Sequence, residues 1–364
     1  MTVSEVTARA YKVPTDQPEA DGTLSWDATV VVVVTVTDGD RTGLGYTYAG
    51  VGAATVITEH LKPVVLGGDP AAIPQLAEDM ARAVRNLGRP GLVACAISAV
   101  DVALWDLRAR QLGVSLADLF GRARPSVPVY GSGGFTTYDD ETTAAQLAHW
   151  VGDWGMPRVK IKIGESWGQD SERDLHRIAL ARRLIGDVEL YVDANGGYQV
   201  KQAIRLGRIM ADQFDVTWFE EPVSSDDLAG LATVRGRFAG EVAAGEYGYT
   251  ADYFARMLDA GAVDCLQADA TRCGGYTVWR HAAALAAAHH LQISGHCAPN
   301  LHAHVAASVP NLRHLEYFHD HHRIETLLFD GTLPPNGGTM TPDRAAPGHG
   351  LSFKQVDAEE YRVA

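Results

Sequence analysis

The sequence has few cysteines and no long hydrophobic run. The four cysteines, Cys95, Cys265, Cys273 and Cys297, lack the paired spacing that binds zinc, so we expect free thiols in a reducing compartment. The longest aliphatic run, residues 30–34, is far shorter than the roughly 20 residues that span a bilayer. The first residues do not show the pattern of a secretory signal, and we expect a cytoplasmic protein without membrane contact.

Positive charge is also scarce. The 364 residues include 31 basic and 45 acidic side chains, which gives a formal net charge of −14. A protein of this sign repels nucleic acid and anionic membranes, so we expect no nucleic-acid partner, although a small anion could still bind in a local positive pocket. The hydrophobic share of 46% and the charged share of 21% are typical of a globular protein.

Two different patterns divide the chain. Residues 1–125 begin with predicted strands at 3–13, 29–37 and 43–48 and continue with helices, one of which ends at Gly113. Strands followed by helices predict an α+β domain. Residues 325–364 are rich in glycine and proline, and we expect this C-terminal segment to pack back on the first domain.

Residues 126–324 alternate short apolar strands with amphipathic helices. The predicted strands are 127–130, 158–163, 189–193, 216–220, 242–246, 262–269, 292–296 and 313–317. Eight such units predict an α/β fold with a closed TIM-type barrel. An open doubly wound sheet is disfavoured because no G-x-G-x-x-G follows a first strand.

Ionisable residues stand at the predicted ends of seven consecutive barrel strands. They are Lys160 with Lys162, Asp193, Glu220, Glu246, Asp269, His296 and Glu316. The successive steps from Asp193 to Asp269 are 27, 26 and 23 residues, about one βα unit each. Because the carboxyl ends of all barrel strands meet at one face, we expect these side chains to share a site.

Three of these residues form a candidate metal centre. Asp193, Glu220 and Glu246 would repel one another at short range, and a divalent cation removes that repulsion. An all-oxygen ligand set favours Mg²⁺. Glu221 follows Glu220 directly, and strand alternation predicts that it points to the other side and forms a structural salt bridge.

The remaining strand-end residues favour proton transfer. Lys160 and Lys162 are two residues apart, so both point into the barrel. A lysine beside a second cation and a metal ion has a lowered pKa and can act as a base. His296 and Asp269 end adjacent strands, where the carboxylate would fix the imidazole tautomer. Hydrolase chemistry is disfavoured because no nucleophile stands in a G-x-S-x-G motif.

Taken together, seven motifs resemble the enolase superfamily, and more narrowly its mandelate racemase subgroup. They are VKIKIG, VDANGGY, WFEEPV, AAGE, ADATRCGG, ISGHCAPN and HLEY, in this order. The resemblance covers nearly the whole chain. It implies a capping domain over a modified (β/α)₇β barrel and one Mg²⁺ per subunit.

The resemblance also implies roles for individual residues. Lys162 would be one general base, with Lys160 assisting it and contacting the substrate carboxylate. His296, paired with Asp269, would be the acid or base on the opposite face of the substrate. Glu316, in its protonated form, would hydrogen-bond the developing enediolate, and Asn195 would contact the substrate or the metal environment.

Three activities remain open at this point. The first is a dehydratase that removes the α-proton and the β-hydroxyl of a sugar acid and gives a 2-keto-3-deoxy acid. The second is a racemase, epimerase or cycloisomerase that uses the same enediolate with Lys162 and His296. The third is a catalytically silent sugar-acid binder. The lactonising and dipeptide-epimerising branches carry a lysine at the end of strand six, where this chain has Asp269.

Capping-domain loops set specificity in the resembling family, so Trp26, Tyr46 and Tyr48 are candidate substrate contacts, with apolar packing as the alternative. The run FHDHH at residues 318–322 is predicted to be a solvated loop, or else to border the pocket. A homo-oligomer is expected by analogy with the family.

Overall fold

The computed structural model describes residues 2–364 and begins with a three-stranded antiparallel sheet. Its strands are β1 (Glu5–Ala20), β2 (Ser25–Thr37) and β3 (Thr42–Tyr48), in the order β1-β2-β3. The β-branched valines of β2 favour this extended backbone. Strands β1 and β2 extend further than the sequence predicts, because pairing resumes at Glu19 and Trp26 after a register shift that follows Pro14.

Five helices follow the sheet. They are α1 (Gly52–Val56), α2 (Lys62–Val65), α3 (Ile73–Ala83), α4 (Leu92–Leu112) and α5 (Leu116–Phe120), with a π-helical turn at Ile57–Leu61 and a 3₁₀ turn at Arg85–Leu87. Helix α4 lies directly on β3 because Gly43 and Gly45 have no side chain. A Cβ at Gly43 would stand 2.1 Å from the carbonyl oxygen of Ala103. Gly113 ends α4 in the left-handed conformation, with φ of 68°.

Eight parallel strands close a barrel, which confirms the predicted fold class. They are β4 (Val127–Gly133), β5 (Arg158–Lys162), β6 (Glu189–Asp193), β7 (Val216–Glu220), β8 (Glu241–Ala244), β9 (Cys265–Ala268), β10 (Gln292–Gly295) and β11 (Leu312–Phe318). The barrel closes where β11 pairs with β4. The first domain and the barrel together form the architecture that the strand pattern predicts.

Helices between the strands cover the outside of the barrel. They are α6 (Asp140–Ala148), α7 (Glu165–Gly168), α8 (Ser171–Ile185), α9 (Val200–Phe214), α10 (Leu228–Arg235), α11 (Ala251–Asp259), α12 (Gly275–Ala288), α13 (Pro299–Ala306) and α14 (His319–Leu328), with a π-helical turn at His149–Asp153. No helix among residues 2–364 is both long and apolar enough to cross a bilayer.

Aromatic side chains fill the barrel beneath the strand ends. Tyr130, Tyr191 and Trp218 are buried together, and the rings of Tyr191 and Trp218 stack with centroids 5.1 Å apart. The ammonium of Lys160 lies 5.5 Å from the centroid of the Tyr130 ring. This packed layer closes the barrel from below, so the charged side chains above it have access to solvent from one side only.

The C-terminal segment contacts both parts of the chain. It contains β12 (Phe329–Asp330), β13 (Thr339–Met340), β14 (Ser352–Phe353), α15 (Gln355–Ala358) and a 3₁₀ turn at Glu359–Tyr361. Strand β13 pairs with β4 of the barrel. The backbone N–H of Ala10 donates to the carbonyl of Ala364 at 2.9 Å, which links the segment to β1.

Candidate active site

Strand register brings the first charged residues together. In the parallel pairing of β5, β6 and β7, Lys162 lies beside Asp193, and Asp193 lies beside Glu220. Glu246 follows β8 after Gly245, whose φ of 136° is a conformation that suits glycine. The alternation of strand side chains places Lys160 and Lys162 on the same side, and both are buried.

Asp193, Glu220 and Glu246 form a compact carboxylate cluster. One oxygen from each lies within 4.8 Å of the others, and all three side chains are buried. Burial raises the pKa of Glu220 to about 8, against the opposing charge of Lys160. Nearby, Oδ1 of Asn195 is buried without a hydrogen-bond partner. An oxygen-only donor set with this spacing, and with carboxylates whose charges are not fully compensated, fits Mg²⁺.

Both lysines contact the cluster. Nζ of Lys162 lies 2.6 Å from Oδ2 of Asp193, and Nζ of Lys160 lies 3.4 Å from the same oxygen and is also paired with Glu220. Burial alone would lower the pKa of Lys162, but the charges of Asp193, Glu246 and Glu316 together outweigh burial and raise it. The lowered pKa expected for Lys162 depends on the charge of a metal ion beside it and stays a prediction, because the protein carboxylates alone act in the opposite direction.

His296 and Asp269 form the predicted pair. Nδ1 of His296 lies 2.9 Å from Oδ2 of Asp269, whose other oxygen accepts the backbone N–H of Thr271 at 2.7 Å. Nε2 of the same imidazole lies 3.2 Å from Oε2 of Glu246. Burial opposes a charged imidazole, but the surrounding carboxylates hold the pKa of His296 well above its ordinary value.

Glu316 lies between Lys160 and His296. Its Oε1 accepts the Ser132 hydroxyl at 2.6 Å and lies 2.8 Å from Nζ of Lys160, and its Oε2 accepts the N–H of Cys297 at 3.0 Å. Burial would raise the pKa of Glu316, but the charges of Lys160, His296 and Lys162 together outweigh it and lower that pKa well below its usual range. The neighbouring protein charges alone therefore favour the ionised form of Glu316, and the protonated form expected during the reaction stays a prediction.

Glu221 differs from the prediction. Among residues 2–364 it forms no ion pair, and its buried Oε1 has no hydrogen-bond partner. The strand alternation ends at this residue, whose φ of 38° is left-handed. Burial, together with the neighbouring Glu246 and Asp193 carboxylates, raises the pKa of Glu221 well above its usual value. The predicted structural salt bridge is wrong, and Glu221 is a buried carboxyl beside the cluster.

A cavity of about 350 Å³ opens above these residues, between the first domain and the barrel. Its lining includes Lys162, Asn195, Glu246, His296 and Cys297 from the barrel. From the first domain it includes Asp21, Leu24, Trp26, Thr29 and Tyr48.

Trp26 therefore lies at the cavity as expected, and its indole N–H donates to Glu19 at 2.8 Å.

Two candidate substrate contacts lie elsewhere. Tyr46 is fully buried, its hydroxyl donates to Glu325 at 2.6 Å, and its ring stacks on Phe329. Tyr46 and Tyr48 lie on the same face of β3, but Tyr46 is two residues further from the end of the strand. Tyr46 therefore packs where the first domain contacts the rest of the chain and does not line the cavity, contrary to the expected substrate contact. Lys160 is also buried and does not line the cavity, and its expected contact with a substrate carboxylate stays a prediction.

Several cavity residues are absent from the sequence predictions. Arg272 follows β9, with Nη1 3.5 Å from Glu246 and Nε 3.6 Å from Asp269. Residues 319–322 are helical, which corrects the prediction of a solvated loop, and Asp320 and His321 are buried and line the cavity, in agreement with the alternative that this run borders the pocket. Their only sequence signal is their place directly after the last barrel strand. Asp21 has a comparable signal, since it lies in the loop that precedes β2.

Family comparisons agree with this geometry. Residues 4–121 match the mandelate racemase / muconate lactonizing enzyme N-terminal domain, and residues 142–358 match the enolase C-terminal domain-like family. The chain belongs to this family, as the seven motifs indicate, and its relatives are enzymes.

Two curated relatives are informative. The chain is 35% identical over 338 residues to 3,6-anhydro-alpha-L-galactonate cycloisomerase of Streptomyces coelicolor, which covers 90% of each chain. It is 32% identical over 319 residues to L-talarate/galactarate dehydratase of Salmonella typhimurium, which covers 85% of this chain and 76% of the relative.

Two solved structures share the fold over almost the entire chain. A mandelate racemase/muconate lactonizing enzyme-like protein from Rubrobacter xylanophilus is 46% identical, with a TM-score of 0.96 and complete coverage of both chains. A racemase from Streptomyces coelicolor with bound magnesium is 31% identical, with a TM-score of 0.93 and coverage of 99% of this chain and 100% of the other.

Proposed function

We propose that the protein is a Mg²⁺-dependent acid-sugar dehydratase that forms a 2-keto-3-deoxy acid. The observation that carries this proposal is that Lys162 and His296 line the same cavity as Glu246, a member of the carboxylate cluster. A base, an acid and a metal site around one small volume suit removal of a proton next to a carboxylate. The dehydratase among the curated relatives supports the same chemistry.

The first step is removal of the α-proton. Asp193, Glu220 and Glu246 would hold Mg²⁺, which when bound supplies positive charge that stabilises the dianionic enediolate. Lys162 takes the proton in its neutral form, which becomes accessible once the carboxylate charge that raises its pKa is neutralised. Lys160, held between Glu220 and Glu316, keeps a second positive charge near the developing enediolate.

The second step is loss of the β-hydroxyl. Asp269 occupies Nδ1 of His296, so Nε2 carries the proton that is delivered to the leaving oxygen. The C–O bond breaks, water departs, and the resulting enol rearranges to the 2-keto acid. Asn195 has an unpartnered buried oxygen at the cavity and would orient a substrate hydroxyl.

A cycloisomerase is the second candidate, favoured by the 35% identity to one over 90% of the chain. It needs the same α-proton removal, but the β-oxygen that leaves belongs to a ring and stays attached to the product. A racemase would instead return a proton from His296 to the opposite face. The catalytically silent binder is disfavoured because both bases are present at the cavity.

Mass spectrometry of products separates these candidates. The Mg²⁺-loaded protein is incubated with a panel of sugar acids and anhydro sugar acids, and the keto products are trapped with semicarbazide. Dehydration gives a product lighter by one water, whereas cycloisomerisation gives a keto product of unchanged mass. Racemisation gives neither, but exchanges the α-proton with deuterated solvent. Absence of turnover and of exchange on the entire panel would contradict the proposal.

Two further properties belong to this proposal. We expect a homo-oligomer, which light scattering after gel filtration would test. We also place the protein in the reducing cytoplasm, since all four cysteines are buried and unpaired.

A further inference from the structure

The cavity has one wall without a cation. We define the outer wall as Asp21 and Thr29 of the first domain together with Asp320 and His321 of α14, all of which line the cavity. None of these four forms a hydrogen bond or an ion pair with Asp193, Glu220 or Glu246. The outer wall is therefore available to the part of a substrate that the carboxylate cluster does not bind.

Asp21 presents a carboxylate to the cavity. Its Oδ1 accepts the backbone N–H groups of Thr23 at 2.6 Å and Leu24 at 2.8 Å, which fixes the orientation of the side chain. These bonds leave Oδ2 free to accept a hydrogen bond. A fixed carboxylate of this kind accepts from a sugar hydroxyl and repels a second carboxylate.

Asp320 adds further negative charge. It accepts the Thr29 hydroxyl at 2.5 Å and pairs with Arg323 at 2.7 Å, and Arg323 is shared with Asp16. Burial and the nearby Asp320 raise the pKa of Glu19 to about 8, so this carboxyl is already neutral. Burial is the larger cause of that shift and Asp320 adds to it, and the negative charge of Asp320 behind the outer wall disfavours another anion.

His321 contributes a neutral donor. Its Nδ1 accepts the backbone N–H of Ala298 at 3.3 Å, which leaves the ring proton on Nε2. The ring stacks on Tyr48 with centroids 3.4 Å apart, so its orientation is fixed. With Asp21 as acceptor and His321 as donor, the outer wall complements hydroxyl groups.

The cations of the cavity lie at its other side, close to the carboxylate cluster. Among the described residues that line it, the lysine and arginine side chains are Lys162 and Arg272. Lys162 pairs with Asp193, and Arg272 contacts both Glu246 and Asp269. Neither cation belongs to the outer wall, where a second carboxylate on a substrate would lie.

We infer that the cavity is selective for sugar acids with a single carboxylate and a hydroxylated far end, and that Asp21 rejects the corresponding diacids. This inference rests on the proposed function and narrows its substrate class. The one carboxylate lies toward the metal site, and the terminal hydroxyl lies against the outer wall.

Matched acid pairs test the inference. D-Galactonate and galactarate, and D-gluconate and D-glucarate, differ only in whether the terminal carbon is an alcohol or a carboxylate. Turnover is measured with the Mg²⁺-loaded wild-type protein. Binding of the same four acids is measured by calorimetry with the Mg²⁺-loaded Lys162→Ala variant, which we expect not to turn them over. We expect the better monoacid to exceed its diacid by about 100-fold in kcat/KM.

Asp21→Asn tests the residue responsible. The variant keeps an oxygen for the Thr23 and Leu24 N–H groups but removes the charge, and we expect the monoacid preference to shrink at least about tenfold. Asp38→Asn is the matched control. Asp38 makes the same type of turn, accepting the N–H groups of Asp40 at 3.1 Å and Arg41 at 2.8 Å, but it does not line the cavity. The monoacid preference of the Asp38→Asn variant should equal that of the wild type.

The outcomes separate this inference from the proposed function. Turnover or binding that favours the diacids overturns the inference and leaves the dehydratase proposal standing. Preferential binding of the monoacids without turnover supports the inference and contradicts the dehydratase proposal. Failure of all four acids to bind overturns the inference, and so does an unchanged preference in the Asp21→Asn variant.

Discussion

Nδ1 of His296 lies 2.9 Å from Oδ2 of Asp269. The imidazole lines the cavity, and its second nitrogen, Nε2, takes no part in that contact. The two residues follow adjacent parallel strands, β9 and β10. Their pairing assigns the tautomer of His296, and through it the atom that delivers a proton. The chemistry at this face of the cavity therefore depends on a carboxylate that need not contact the substrate.

Asp269→Asn removes this control. An amide no longer fixes the tautomer or stabilises the imidazolium, so we expect kcat to fall by about 10²- to 10⁴-fold with little change in KM. Asp264→Asn is the control at the opposite end of β9, where the carboxylate pairs with Arg235 at 2.7 Å. That variant should melt at a lower temperature but keep kcat. Equal activity of both variants would contradict the positioning role of Asp269.

His296→Asn should separate the two steps of the reaction. Lys162 can still remove the α-proton, but no acid remains for the leaving hydroxyl. We expect elimination to fall at least about 10³-fold while the α-proton still exchanges with deuterated solvent, as followed by NMR. Lys162→Ala should lose both processes, and Lys201→Ala, on the exposed surface of α9, should lose neither. Loss of exchange in His296→Asn would assign the proton removal to His296.

Neighbouring glutamates should differ in magnesium affinity. Glu220 belongs to the carboxylate cluster, whereas Glu221 lies outside it and forms no ion pair within residues 2–364. We expect Glu220→Gln to weaken Mg²⁺ binding at least about tenfold and Glu221→Gln to change it by less than about threefold, as measured by calorimetry. The reverse order would show that Glu221 is the ligand.

Much of the site follows from periodicity in the sequence. Lys160 and Lys162 share a side because strand side chains alternate, and Asp193, Glu220 and Glu246 recur with the length of one βα unit. The same reasoning fails at Glu221, since its left-handed backbone ends the alternation. Asp21, Arg272 and His321 lie in loops or at the start of a helix, where side chains do not recur at a regular spacing that the sequence would reveal. Their positions depend on how the first domain packs on the barrel.

Tyr46 shows the same limit within a regular strand. Alternation places Tyr46 and Tyr48 on one face of β3, as expected. Only Tyr48 reaches the cavity. At Tyr46, two residues earlier in the strand, the contact between the domains covers this face. The sequence specifies the face of the strand, and the packed structure determines how far the cavity extends along it.

Asp101 gives a prediction about pH and stability. This buried carboxyl of α4 accepts the N–H and hydroxyl of Thr277 at the start of α12, and burial raises its pKa to about 7. The unfolded chain releases this proton near pH 4, so the folded state binds more protons between about pH 4 and pH 7. Stability therefore falls as pH rises through this window, by up to about 4 kcal/mol from this group.

Asp101→Asn provides the test, since the amide does not titrate. Melting temperatures of the wild type and the variant are compared from pH 5 to pH 8. The melting temperature of the variant should lie furthest below that of the wild type at pH 5, and this difference should shrink up to about pH 7. A constant difference across this range would show that Asp101 does not titrate there.

The hydrogen bond from Thr29 to Asp320 has a kinetic consequence. It joins β2 to the first turn of α14, and the Thr47 hydroxyl makes a similar link to the carbonyl of Thr271 at 2.6 Å. Separating the two domains as rigid bodies would break both links. Opening the cavity by separating the domains therefore costs both bonds, and a turnover rate limited by such an opening slows when glycerol thickens the solvent.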